Sequence, residues 1–118
     1  MKGLMEFRHV YLHRADMDMR RGVHSLACII RSMKMGPIDE CSLFVFTGKK
    51  KNTLKCLYWD GVSFCMWSKH LEKDRFAWPS TDSEVVFLEP SQMSWLLQGV
   101  DVWKMKRFEK NDFNHFFE

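Results

Sequence analysis

The chain has 118 residues, 46% apolar and 28% charged, which suits one globular domain with a real core and excludes a disordered polymer. Eighteen basic against fifteen acidic side chains leave a net charge of +3, too small to identify a polyanion partner, so the placement of charge matters more than its sum. No apolar run approaches the roughly 20 residues of a membrane-spanning helix, and the N-terminus lacks the basic-then-apolar layout of a signal peptide; both features predict a cytosolic protein with no membrane partner.

Phe7 to His13 sets Phe7, His9 and Tyr11 against Arg8, Val10 and Leu12, the period of a short strand. His9 and His13 are four apart without a third ligand, so their spacing carries little metal signal. Asp16 to Gly22, reading DMDMRRG, is a polar connection. A helix then starts between Arg20 and His24. Val23, Leu26, Ala27, Ile30 and Met33 give it one apolar stripe, and Gly36-Pro37 stops it.

Leu43 to Phe46 reads as a strand, followed by a basic loop from Gly48 to Asn52 that contains Lys49, Lys50 and Lys51. From Leu54 to Pro79 six rings, Tyr58, Trp59, Phe64, Trp67, Phe76 and Trp78, are interleaved with Lys55, Lys69, Lys73 and Arg75. Taken as a two-residue turn, Asp60-Gly61 makes a hairpin in which Trp59 faces Val62, Leu57 faces Phe64 and Cys56 faces Cys65. Leu57, Trp59, Phe64 and Met66 then share one face, and Cys56, Tyr58, Cys65 and Trp67 the other. One face is expected to pack on the Val23 to Met33 helix. The other needs a cover, from the C-terminal segment, a partner chain or a nucleic acid.

Val85 to Leu88 reads as another strand, and Ser91 to Gln98 as a helix closed by Gly99. The tail from Trp103 to Glu118 reads equally as an amphipathic helix or a mobile end. Cys28, Cys41, Cys56 and Cys65 form no C-x-x-C pair, so reduced thiols used as small apolar residues are expected. The expected architecture is a single α+β domain over residues 1–118: an antiparallel sheet with a central hairpin, packed by one or two helices.

Several segments together resemble one family. They are DMRRG at Asp18 to Gly22, LFVF at Leu43 to Phe46, the basic run Lys49 to Lys51, and K-x-LYWDG-x-x-F at Lys55 to Phe64. Trp67, Lys69, Leu71-Glu72, Arg75-Phe76, Trp78-Pro79 and LLQGVD at Leu96 to Asp101 continue the pattern in order. The chain is similar to the TnpB-type accessory proteins of insertion-sequence family sixty-six, which are distinct from the RNA-guided nucleases that share the name TnpB. His70 stands where that family usually has arginine, and Gly48 where it often has asparagine. The resemblance implies a protein encoded beside a separate transposase and required for, or helpful to, movement of the element.

With that resemblance, Arg20, Arg21, Lys49, Lys50, Lys51, Lys55, Lys69 and Arg75 are the candidate phosphate contacts, and Tyr58 and Trp67 the candidate stacking rings. The competing expectations are that the rings are core, that the lysines are a solvated loop, and that Arg20 pairs with Asp16 or Asp18 in a structural turn. Asp60 is expected to bond its own backbone. Asp16, Asp18, Asp39, Glu40, Asp60 and Asp82 show no diagnostic two-metal arrangement, so neither a nuclease nor a cofactor is predicted. The expected function is a non-catalytic accessory factor that binds the element's DNA ends. The alternative is an adaptor for the transposase, and self-association is compatible with both.

Overall fold

In the computed structural model, which describes residues 3–104, the apolar run at Leu43 is the middle of a five-stranded sheet. The strands are β1 (His9–His13), β2 (Ser42–Thr47), β3 (Thr53–Trp59), β4 (Phe64–His70) and β5 (Val85–Leu88); the helices are α1 (Val23–Met33) and α2 (Pro90–Leu97). They lie across the sheet in the order β4-β3-β2-β1-β5. Every residue of β2 is buried, as a central strand covered on both faces must be.

The expected α+β architecture holds, and two features of the sheet differ from expectation. β1 and β2 run parallel, so the sheet is mixed, because α1 carries the chain back between them and β2 re-enters in the same direction. The β3–β4 hairpin sits at one edge and not in the centre, since β3 pairs with β2 on one side and β4 has no neighbour beyond it among the described residues.

Each face of the sheet has its own cover. Leu26, Ala27 and Ile30 of α1 pack with Tyr11, Phe44, Phe46 and Leu57. On the other face Val10, Leu12, Leu43, Val45, Leu54, Cys56 and Tyr58 lie with Met93 and Leu96 of α2, together with Phe76 and Val102. Each fully buried Leu or Phe contributes about 1.5–3 kcal/mol, which is how two short helices hold the sheet. The second hairpin face is therefore covered by the chain itself.

Part of that cover is a strap, residues 71–79, without regular structure. Main-chain bonds fasten it: Leu71 N–H donates to Asn52 O at 2.8 Å and Phe76 N–H to Lys51 O at 2.7 Å. The Trp78 indole N–H donates to Arg14 O and that of Trp103 to Ala77 O, both at 2.8 Å. These indoles brace the strap, a use of tryptophan that satisfies its polar tip while its ring packs.

The hairpin register is offset from expectation. Trp59 faces Phe64, Leu57 faces Met66 and Cys56 faces Trp67. Asp60 to Ser63 form a four-residue connection, because the Asp60 carboxylate accepts from the N–H groups of Val62 and Ser63 at 2.8 Å while Asp60 N–H donates to Ser63 O. Gly61 takes φ 100°, open chiefly to glycine. The offset is an even number of residues, so the predicted membership of the two faces survives.

At the other end of the chain, Phe7 joins the α2-side cluster with Val10 and Leu12 and not the Tyr11 side. The N–H groups of Arg8 and His9 both donate to Cys41 O, which breaks the alternation just before β1. α1 closes before Gly36: Lys34 turns left-handed, Met35 N–H donates to Ile30 O, and buried Met35 caps the end. All four cysteines are free thiols, and burial pushes Cys56 far up from its ordinary value. The tail expected from residue 103 onward lies, after Lys104, outside the described residues.

Candidate nucleic-acid interface

The strand directions place the C-terminal ends of β1, β2 and β4 and the start of β3 along one end of the sheet. The connection after β1 and the loop after β2 therefore meet there. Met17 N–H donates to Thr47 O at 2.8 Å, and a Cβ on buried Gly48 would come within 2.7 Å of Met19 Cγ, so the two loops are in close contact. Lys55, on β3, donates from Nζ to Arg21 O at 2.8 Å and ties the second half of the first loop to the sheet.

This packing gathers Arg20, Arg21, Lys49, Lys50, Lys51 and Lys55 at one end, and Arg75 enters through the strap, where Phe76 bonds Lys51. Their states differ. Arg20 grips Asp18 with Nη2–Oδ2 at 2.7 Å and Nε–Oδ1 at 3.0 Å, and the Arg20 side chain and N–H hold the Asp18 carboxyl well below the usual carboxylate range. The structural turn expected around Arg20 thus forms with Asp18. Asp16 is lowered by a main-chain hydrogen bond and then by the Lys51 ammonium 3.5 Å away. Arg21 Nη1 donates to Ser25 Oγ at 2.7 Å. Lys49 and Lys50 are exposed, and among the described residues they make no ion pair or side-chain hydrogen bond. The loop keeps its shape through Lys51, left-handed at φ 58°, whose N–H closes onto Gly48 O at 3.1 Å.

Lys69, next to last on β4, stands at this end of the sheet but on the face away from Lys55, and does not join the basic loops. It lies on the α2 side and donates to Leu97 O at 2.8 Å, so its charge serves the last carbonyls of α2. Nor do the candidate stacking rings reach the cationic end. Tyr58 is only 4% exposed, edge-on to Phe7 at 5.3 Å, near the opposite end of β3; its burial conflicts with a stacking role. Trp67 is half-buried against the α2-side core, opposite Cys56.

The carboxylates are dispersed among turns. Asp39 accepts from Cys41 N–H and Ser42 Oγ, Asp60 holds the hairpin connection, and Asp16 and Asp18 face cations. Among the described residues no three His, Cys, Asp or Glu side chains converge as a metal-binding group. His13 is buried and bonds Ala15 O. No helix among the described residues is long and apolar enough to cross a membrane.

The meeting of the two loops depends on β1 and β2 being parallel, which the segment-by-segment sequence reading missed. A strand, a helix and a strand in succession were all legible, and that pattern is the signal for parallel pairing.

The family described as IS66 Orf2-like protein matches residues 8–107. The uncharacterized protein y4hO of Sinorhizobium fredii is 38% identical over 96 residues, 80% of this chain and 82% of its own length. A second uncharacterized protein of that organism, y4jC, is 31% identical over 90 residues, 76% of this chain and 77% of its own. No solved structure matches the chain.

Proposed function

The chain belongs to the IS66 Orf2-like family, whose members are associated with transposition, and from that premise we propose that it is a non-catalytic accessory protein that binds the DNA ends of its element through the cationic end of the sheet. The observation that supports this most directly is the pair Lys49 and Lys50, exposed on a loop pinned by Lys51 and held against the Arg20-Arg21 connection. Such a loop offers point charges to phosphates from a fixed platform without needing each side chain to be ordered in advance.

With Tyr58 buried, the contact is electrostatic and suited to duplex backbone, not to splayed bases. Arg20 reaches a phosphate only in competition with Asp18, so Arg21, Lys49 and Lys50 carry most of the attraction.

The test is binding of the purified protein to labelled element-end DNA and to an unrelated duplex across a salt series, beside a variant with Lys49, Lys50 and Lys51 changed to alanine. Binding that weakens with salt and with the triple substitution supports the proposal, and preference for the element end adds sequence selection. No binding at low salt refutes it and moves the direct contact to the transposase, because a largely apolar protein interface is not dissolved by salt in this way.

A further inference from the structure

We propose that the outer edge of β5 is a docking site for an extended strand of a partner protein, with apolar residues in its middle and Lys or Arg at its ends. This surface is separate from the cationic loops and independent of DNA binding.

β5 pairs with β1 on one side and, among the described residues, has no strand beyond it. Arg14 N–H donates to Glu84 O, and in the register that pairs Leu12 with Val86 and Val10 with Leu88 the hydrogen-bonded positions of β5 are Glu84, Val86 and Leu88. The N–H and C=O groups of Val85 and Phe87 consequently point outward. An edge of this kind is a template for another strand unless charge or distortion guards it.

Two further features favour an occupant. Phe87 is 67% exposed although its ring rests on Tyr11, with centroids 4.9 Å apart, so it offers a large apolar contact held in a fixed position. Beside the strand an open depression of ≈ 470 Å³ is lined by Thr81, Ser83, Val86, Phe87 and Trp103. Alternate side chains of an incoming strand would meet Phe87 on one face and Val86 and Trp103, in the depression, on the other.

Charge selects the occupant. Glu84 and Glu89 flank β5, both exposed, while the neighbouring Arg14 directs its Nε to Ser83 O at 2.9 Å. A second copy of β5 laid antiparallel would bring the Glu84 end of one chain to the Glu89 end of the other, where the two carboxylates lie on opposite faces of the ladder but still add like charge to like. A strand with basic ends meets opposite charge at both.

The experiment uses the full chain, isotope-labelled for amide resonances, and a synthetic peptide of alternating Val and Thr with a Lys at each end. Expected are shifts centred on Val85 and Phe87, at least about tenfold slower exchange of those two amides, and about fivefold weaker binding for Glu84→Lys or for a Glu-ended peptide. A peptide N-methylated on its bonding amides should not bind. Equal binding of Lys- and Glu-ended peptides, shifts centred elsewhere, or no response at millimolar peptide would overturn the proposal. So would slow exchange of Val85 and Phe87 in the free protein: lost on dilution, it assigns the edge to a second copy; unchanged on dilution, it assigns it to the chain itself.

Discussion

Replacing Lys49 and Lys50 together by alanine should flatten the salt dependence of DNA binding by an amount the structure sets. Each neutralised phosphate contributes about 0.9 to the slope of log K against log salt, so two exposed lysines contribute about 1.8. Between about 50 and 200 mM salt, that is about a 12-fold loss of affinity in the parent which the variant no longer undergoes. Lys51 behaves differently, because its ammonium already faces Asp16 at 3.5 Å and its side chain is 24% exposed. Adding Lys51→Ala to the pair should therefore lower affinity while changing the slope by well under a further 0.9 or so. The assay is fluorescence anisotropy of a labelled duplex over several salt concentrations, with thermal melts to verify that each variant folds. An unchanged slope in the double variant, or a larger slope change from Lys51→Ala alone, would refute the assignment of phosphate contact to the exposed pair.

Lys69→Met keeps the side-chain stem but removes the bond to Leu97 O, and should cost about 1 kcal/mol in urea unfolding while leaving the DNA salt slope unaltered. Trp78→Phe removes the indole bond to Arg14 O; it should cost about 1 kcal/mol and speed amide exchange of Phe76 in the strap relative to the centre of β2. Asp16, Asp18 and Asp60 are all held below the ordinary carboxylate range in the fold, so the stability they supply is full above the unfolded value of about 4 and fades as pH falls through the folded values. Urea midpoints should be flat between about pH 5 and 7 and drop between about pH 4 and 2, and Asp18→Asn should show a smaller drop; an identical drop would remove Asp18 from the explanation.

Local chemistry determined much of this protein in the sequence alone. The stripe from Val23 to Ile30 named the face of α1 that packs, and Val85 to Leu88 fell between turn signals at its observed bounds. The carboxylate of Asp60 and the flexibility of Gly61 marked a turn, and the one-in-two alternation of β3 and β4 sorted their side chains between faces even though the turn length was misjudged. These features depend on neighbours within a few residues, where propensity, capping and side-chain period act directly. The resemblance to the IS66 accessory proteins was likewise legible, since it rests on residue order.

Tertiary structure alone decided which strands became neighbours and what covered each face. Nothing local to Tyr58 distinguishes a ring awaiting a base from one buried against Phe7 in the α2-side core, because a half-covered strand and a fully covered one carry the same alternation. Lys49, Lys50 and Lys69 are alike as letters. Chain topology makes the first two exposed charges at the loop-bearing end and turns the third toward a helix terminus, since the free energy of a charge is set by the partners within a few ångströms of it.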